Sequence, residues 1–433
     1  MPLTVLTDKD VKKLLLGLTK DEAHQLQGIL AQALHSYSSG DPSSPCSSYL
    51  QPERTVIKRD SVTTLFMPGS TSETVGMKIV SLLTPDAPKT SGVTSPSLSS
   101  DLSGLAVTSA TSSNTTDLVS GKSSASVPPL SLATRPSTAA KGIVTLLDQI
   151  GNPVGIVNAQ ELTAFRTALS ATIMLLKRQN VHTVTVFGAG KQAFWHIRLA
   201  LLLRGDDIRH VNIINRSFEK SLKLMKAFKV DDDAKPQWRT DIKFSALSPD
   251  FGEYARLLKE EVRKADVIFC CTPSVEPLFP PEILTSIEGQ KKGRYISAIG
   301  SYAPHMTELH PDIFRQAAAR DLQHHHHHHK HTKASGVIIV DTIEGCLKES
   351  GEIIQAQLKP ENLVEIGELM MIRESVHHEI ELGGQGEKGL LHWLVKGNVL
   401  YKGVGFGLMD LTVARELVRM ARERNVGTII AEF

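Results

Sequence analysis

Two glycines separated by one residue carry the first chemical signal in the chain. Gly188, Ala189 and Gly190 follow an apolar stretch, residues 181–187, and Lys191, Gln192 and Ala193 then open an apolar-faced stretch, residues 192–203. A strand that turns on small residues into a helix brings backbone N–H groups and the positive end of the helix dipole to a pyrophosphate. In that arrangement Gly188 permits the sharp turn, Gly190 lets the backbone approach the phosphates, and Ala193 lets helix and strand pack closely, with Gln192 in the same first turn. A glycine pair alone is weak evidence, because any strand-turn-helix can carry one. Here residues 211–214 supply the next strand of a βαβ unit, and the expectation is a dinucleotide site.

The end of that second strand meets the adenosine ribose in such folds, roughly 20 residues beyond the glycines. An acidic residue there would hold two ribose hydroxyls and repel a 2′-phosphate. This chain has Asn215, Arg216 and Ser217 instead. A guanidinium beside a hydroxyl suits a phosphate, because its fork geometry and fixed charge make bidentate contacts. The expected cofactor is therefore NADP(H) rather than NAD(H). The structural alternative is that Arg216 is simply a solvated loop residue.

Two further strands, residues 267–271 and 295–299, end in Thr272 and Pro273 and in Gly300, Ser301 and Tyr302. Ligands of doubly wound sheets bind at the carboxyl ends of the strands, so both loops are expected to border the cofactor cleft. The elements around them alternate strand and helix, which predicts an α/β chain. A Rossmann doubly wound domain is expected over residues 166–407, with a smaller mixed α/β substrate-binding and dimerisation domain over 1–165. A C-terminal helix over 408–433 would return to the first domain. In the first part, residues 3–6 read as a strand, Asp8 as the cap of a helix, residues 21–37 as a second helix, and 62–67 and 75–83 as strands of a mixed, helix-covered sheet. Residues 84–140 are rich in serine, threonine and proline without an aromatic, and read as a disordered insertion. The run from His324 to His329, in a loop over 323–333, lacks fixed geometry, and no metal site is expected from it.

Composition narrows the classes. With 433 residues, 41% hydrophobic and 22% charged, the chain can bury one or two ordinary cores. A formal net charge of +2 gives no basic field for nucleic acid and no cationic surface for a membrane. Cys46, Cys270, Cys271 and Cys346 show neither metal spacing nor a disulfide framework. No signal segment or membrane-spanning run is apparent, and a cytoplasmic protein is expected.

Several groups of residues together resemble one family. They are Arg54 to Val56, Gly76 to Lys78, Leu162 to Ala168, Val186 to Ala193, Ile299 to Ser301, Glu349 to Glu352, and Gly403 to Gly405 with Asp410 and Leu411. The chain is similar in these to the ornithine cyclodeaminase/μ-crystallin family. The resemblance implies a Rossmann domain that binds NAD(P)(H), a homodimer formed through the second domain, and an amino- or imino-acid substrate. Its carboxylate would be gripped by two arginines and a lysine, at Arg54, Lys78 and Arg166. Three such cations beside a nicotinamide make physical sense, since an α-imino carboxylate must be oriented for hydride transfer.

One position departs from the family pattern. Cyclodeaminases carry an aspartate in the loop after the Ile-Gly strand, where this chain has Tyr302. Tyrosine, with an ordinary pKa of about 10, is a poor base at neutral pH but can donate a hydrogen bond. With Lys78 and Tyr302 as the catalytic candidates, the expected reaction is NADPH-dependent reduction of a cyclic ketimine carboxylate, such as pyrroline-2-carboxylate or piperideine-2-carboxylate. An ornithine or lysine cyclodeaminase using catalytic NAD is the alternative within the enzyme class. A non-catalytic, NADPH-binding, crystallin-like protein is the alternative outside it.

Overall fold

The computed structural model describes residues 2–41, 43–47, 50–59, 62–83, 141–228, 238–319, 337–370 and 386–433. The serine-rich stretch 84–140 and the histidine run lie outside them.

Two sheets organise the chain. The first has seven strands in the order β15-β1-β6-β5-β4-β3-β2, from β1 (Leu3–Leu6), β2 (Thr55–Arg59), β3 (Val62–Ser70), β4 (Val75–Leu83), β5 (Lys141–Leu147), β6 (Pro153–Asn158) and β15 (Thr428–Ile430). β1 runs parallel to β6, and β2 to β6 form antiparallel neighbours, so the sheet is mixed. Helix cover is one-sided rather than complete. Every residue of β2 is exposed, and most of β3 is half-buried.

The second sheet has eight strands, all paired in parallel, in the order β13-β12-β14-β11-β10-β7-β8-β9. Its members are β7 (Thr183–Phe187), β8 (His210–Ile214), β9 (Lys243–Leu247), β10 (Val267–Cys270), β11 (Tyr295–Ala298), β12 (Ile338–Val340), β13 (Leu363–Glu365) and β14 (Val399–Lys402). β10, β11, β12 and β14 are buried at every residue. That continuous burial is what a parallel sheet covered on both faces requires. The order reverses between β7 and β10, and such a switch point opens the crevice in which ligands of this fold bind.

Helices α1 (Asp8–Leu16), α2 (Lys20–Ser38) and α3 (Ala159–Leu175) belong to the first half, and α4 (Lys191–Arg204), α5 (Phe218–Lys226) and α6 (Tyr254–Lys264) to the second. Thr7, not Asp8, caps α1. Its hydroxyl accepts from Asp10 N while the Asp10 carboxylate takes Thr7 N, a reciprocal box that leaves Asp8 inside the helix. α3 is buried along most of its length and packs on α4 as well as on α1, α2 and β5. A boundary at residue 165/166 therefore falls within a helix that serves both sheets. The closing helix, Gly407–Arg424, leaves the second sheet and packs on α2, α3, β3 and β4. Asn425, at φ +52°, ends it in a left-handed cap, and the chain then adds β15 to the edge of the first sheet beside β1.

Candidate active site

The glycine turn has the geometry its residue types predict. Gly188 adopts φ +107°, and a Cβ there would lie 2.9 Å from the Cys271 carbonyl oxygen. Gly190 is the N-cap of α4 and offers no side chain to the helix's free N–H groups, and a Cβ built on it would meet nothing within 4 Å. Open space over uncapped helical N–H groups fits a pyrophosphate. The buried Gln192 Oε1, which has no hydrogen-bond partner among the described residues, is a further polar atom in the same helical turn. Ala189 is partly buried and Ala193 fully so, close against the core. Lys191 turns back to the first half of the molecule, with Nζ 2.7 Å from Glu161 Oε1 and 3.3 Å from Asp8 Oδ2.

At the end of β8, Asn215 is fastened by its own amide, which donates to the Ser217 carbonyl at 2.8 Å. The Ser217 hydroxyl caps α5 by accepting from Lys220 N. Arg216 between them is exposed. The turn thus offers a free guanidinium at the N-terminus of a second helix.

The two loops expected beside the nicotinamide are tied together by a residue without a role in the sequence reading. Glu308 Oε1 accepts from Thr272 N at 2.7 Å and from the Thr272 hydroxyl, while Oε2 accepts from Gly300 N at 2.6 Å. Below them Lys402, fully buried, donates to the Ser301 carbonyl at 2.6 Å and to its hydroxyl, and lies 3.2 Å from Glu352 Oε2. Ser301 also donates to Glu352, so its side chain is spent inside the protein. Burial pushes the Glu308 carboxyl up to about 7, with Lys402 and the two backbone donors opposing and Glu352 adding to the rise. Pro273 is exposed. Tyr302 is 37% exposed, and burial of its ring raises the phenol above its ordinary value, which keeps it protonated at neutral pH and so unavailable as a base there.

The three cations come from separate elements. Lys78 is on β4, Arg166 on α3, and Arg54 just ahead of β2. Lys78 Nζ and Arg166 Nε lie 2.9 Å and 3.1 Å from the same oxygen, Asp410 Oδ1, and all three side chains are buried. Asp410 is carried in by the first turn of the closing helix. Gly405, at φ +81°, makes room for the guanidinium, since a Cβ there would stand 2.5 Å from Arg166 Nη1. Arg54 is paired with Glu349. Burial lowers Lys78 to about 8 against the pull of Asp410, with Arg166 and Arg54 adding to the fall. Burial likewise lowers Arg54 to about 10, opposed by Asp341 and reinforced by Arg166. Asp341 is held by the N–H groups of Thr342, Val404 and Gly405.

The structure thus brings Arg54, Lys78 and Arg166 into mutual electrostatic reach, and adds carboxylates that the sequence reading had not placed among them. Glu349, Glu352 and Asp410 all lie in stretches that carried the family resemblance, which was the one available signal. Glu308 and Lys402 had none. Among the described residues no group of His, Cys, Asp and Glu could hold a metal ion, and no helix is long and apolar enough to cross a membrane.

Comparison with known proteins agrees with this architecture. The Ornithine cyclodeaminase/mu-crystallin family model matches residues 104–371, which include Arg166 and the glycine turn, with Arg54 and Lys78 lying before the match. An uncharacterized protein of Saccharomyces cerevisiae is 30% identical over 302 residues, covering 65% of this chain and 74% of the relative. A Delta(1)-pyrroline-2-carboxylate reductase of Bacillus cereus is 29% identical over 299 residues, covering 67% and 74%. The fold is shared with a Thermococcus litoralis Delta(1)-pyrroline-2-carboxylate reductase solved with NADH and L-proline, at TM-score 0.60 and 17% identity over 98% of this chain and 99% of that one. The expected class, an oxidoreductase acting on C=N bonds, agrees with the reductases among these relatives. The chain belongs to the ornithine cyclodeaminase/mu-crystallin family.

Proposed function

We propose that this protein reduces a cyclic ketimine carboxylate, such as pyrroline-2-carboxylate or piperideine-2-carboxylate, to the cyclic amino acid with NADPH. The observation that carries the reading is the pairing of Lys78 and Arg166 on one buried aspartate oxygen. The Lys78 ammonium and the Arg166 guanidinium share this one oxygen, so both carry further N–H donors that a substrate carboxylate can take. Arg54 adds a third cation, which can grip the carboxylate in a bidentate manner once it leaves Glu349.

The glycine turn and the α4 N-terminus would hold the pyrophosphate, and Asn215, Arg216 and Ser217 the adenosine ribose and its 2′-phosphate. Thr272, Pro273, Gly300 and Ser301 would border the nicotinamide. When bound, NADPH supplies the hydride. Lys78, Arg166 and Arg54 orient the substrate by its carboxylate, which fixes the face that its C=N carbon presents. Lys78 would also serve as a proton source, because an ammonium lowered to about 8 gives up a proton near neutral pH more readily than an ordinary lysine. Tyr302, lacking the basicity for deamination, is assigned to the pocket wall or to proton donation. The exposed apolar residues Val56 and Ile57 on edge strand β2 favour a homodimer built on the first sheet.

The test is NADPH oxidation by the full-length protein with pyrroline-2-carboxylate and piperideine-2-carboxylate, run beside ornithine with NAD⁺. Turnover of a ketimine without ammonia release from ornithine is expected. Ammonia from ornithine without net NADPH consumption would replace this reading with a cyclodeaminase, and NADPH binding without turnover would replace it with a crystallin-like binding protein. In the same assay Arg216→Asp should raise the NADPH Michaelis constant roughly tenfold or more. An unchanged constant would remove the assignment to the phosphorylated cofactor.

A further inference from the structure

Asp410 is a carboxylate used by half. Oδ1 takes both Lys78 Nζ and Arg166 Nε, whereas Oδ2, on a side chain that is 0% exposed, is buried without a hydrogen-bond partner among the described residues. A buried carboxylate oxygen left unpaired is costly, and such atoms are seldom left so in folded proteins. The groups that surround it set its ligand. Arg166 from α3, Lys78 from β4 and Arg54 from the segment before β2 bring positive charge, and Asp341, behind Gly405, supplies negative charge to the Arg166 side. The triad of Lys78, Arg166 and Asp410 carries one net positive charge, divided into two cations and one anion. A zwitterion with a carboxylate at one end and an N–H cation next to it has the complementary pattern.

We propose that Asp410 acts through both oxygens: Oδ1 positions Lys78 and Arg166 for the substrate's carboxylate, and Oδ2 accepts the N–H of the substrate's protonated imine. This rests on the ketimine reading above. An anion at the imine nitrogen favours the iminium over the neutral imine, and the iminium is the better hydride acceptor. As the hydride adds to the imine carbon, the C=N π pair moves to nitrogen, which keeps its proton, and the product is the neutral secondary amine. No further oxidant or reductant is needed.

The test separates the N–H from the carboxylate. Pyrrole-2-carboxylate and furan-2-carboxylate are planar five-membered rings that differ in having an N–H or a ring oxygen beside the carboxylate. Calorimetric titration of each into the full-length protein with NADP⁺ should show the pyrrole binding roughly tenfold tighter in the wild type. Asp410→Asn should erase that preference while still binding furan-2-carboxylate, and Asp410→Glu, which keeps the anion, should retain part of it. With ketimine and NADPH, Asp410→Asn should lose roughly thirtyfold in kcat with little change in KM, whereas a merely structural role would lower the folded fraction and leave the pyrrole preference intact. Equal binding of the two rings by the wild type, or a preference that survives in Asp410→Asn, overturns the inference and leaves the carboxylate grip standing. Failure of both rings to bind the wild type overturns the grip and the inference with it.

Discussion

Two buried charge clusters in the molecule are near mirror images in sign. Where the substrate is proposed to bind, two cations, Lys78 and Arg166, share the single carboxylate of Asp410. Under the loops proposed to border the nicotinamide, two carboxylates, Glu308 and Glu352, surround the single ammonium of Lys402. The consequences follow the majority charge. Lys78 falls to about 8, and Glu308 rises to about 7. In each case burial is the first cause and a like charge adds to it, so each cluster holds a group that can change protonation near neutral pH. The difference lies in what satisfies the excess. Glu308 and Glu352 are covered by backbone and hydroxyl donors from Thr272, Gly300, Ser301 and Glu308 itself. The cationic cluster leaves an acceptor, Asp410 Oδ2, without a donor among the described residues. One cluster is closed and reads as support, while the other is incomplete and reads as a binding site.

The largest contrast should come from removing one cation from each. Lys402→Met strands two buried carboxylates without a counter-ion, and breaking a buried pair in this way costs about 3–5 kcal/mol. Its urea midpoint should fall accordingly. Arg166→Ala leaves Lys78 and Asp410 as a neutral pair, so the fold should persist while kcat/KM for the ketimine drops by roughly a hundredfold or more, the scale of a lost charge-assisted contact to substrate. Ketimine turnover within severalfold of wild type in Arg166→Ala would make both clusters structural and dissolve the comparison.

A smaller effect is expected from Glu308→Gln. The carboxylate receives Gly300 N on one oxygen and Thr272 N on the other, whereas an amide can accept only one and presents an N–H to the second. Loss of that tie should loosen the loops proposed to border the nicotinamide and raise the NADPH Michaelis constant roughly tenfold. Protonation of the native Glu308 does the same reversibly. In the wild type the constant should therefore rise as pH falls through about 7, and in Glu308→Gln it should stay flat. A wild-type constant independent of pH between 6 and 8, on the order of one unit either side of that value, would show that the clamp does not act on the cofactor.

How much of this was legible beforehand depends on the range of the interaction. Gly188, Gly190 and Ala193 are dictated by local backbone geometry, and a strand, a turn and a helix in succession are visible in residue type and period. The parallel strands β7, β8, β10 and β11 were readable for the same reason, since short segments rich in apolar and β-branched residues bounded by turns leave few alternatives. β13 and β15, of three residues each, carried too little pattern to find, and β14 gained its place between β11 and β12 through tertiary pairing. Arg54, Lys78 and Arg166 were nameable only through a family resemblance, because no spacing along the chain predicts their meeting. Asp410 is 332 residues from Lys78 and 244 from Arg166, and Lys402 is 101 from Ser301. Such pairs are created by the closing helix and by β14, so their charges read from sequence as ordinary surface residues. The α1 cap was missed for a local reason, since Asp8 and Thr7 are both good capping types and only the reciprocal bond from Asp10 decides between them.

The smallest effect, and the one that tests the mirror relation itself, is the pH dependence of stability. Lys78 falls from an ordinary 10.5 to about 8 in the folded protein. Between those values the unfolded chain keeps a proton that the folded chain has released, so stability rises with pH across that window, by an amount on the order of 3 kcal/mol when completed. Glu308 rises from 4.5 to about 7. Here the folded protein keeps the proton that the unfolded chain releases, so stability is fully present below 4.5 and declines as pH climbs through 7, by a similar order of magnitude. Both penalties are in force together between about 7 and 8, where these two groups make the wild type least stable. Urea midpoints measured from pH 4 to 10.5, a range on the order of that spanned by the two titrations, should trace a fall and then a rise. Lys78→Met should flatten only the alkaline rise, and Glu308→Gln only the fall. If both variants kept both slopes, the protons would belong to other groups. If a slope ran in the opposite direction, the cluster concerned would be stabilised by the charge of its titrating group rather than penalised for it, and the mirror relation between the two would fail.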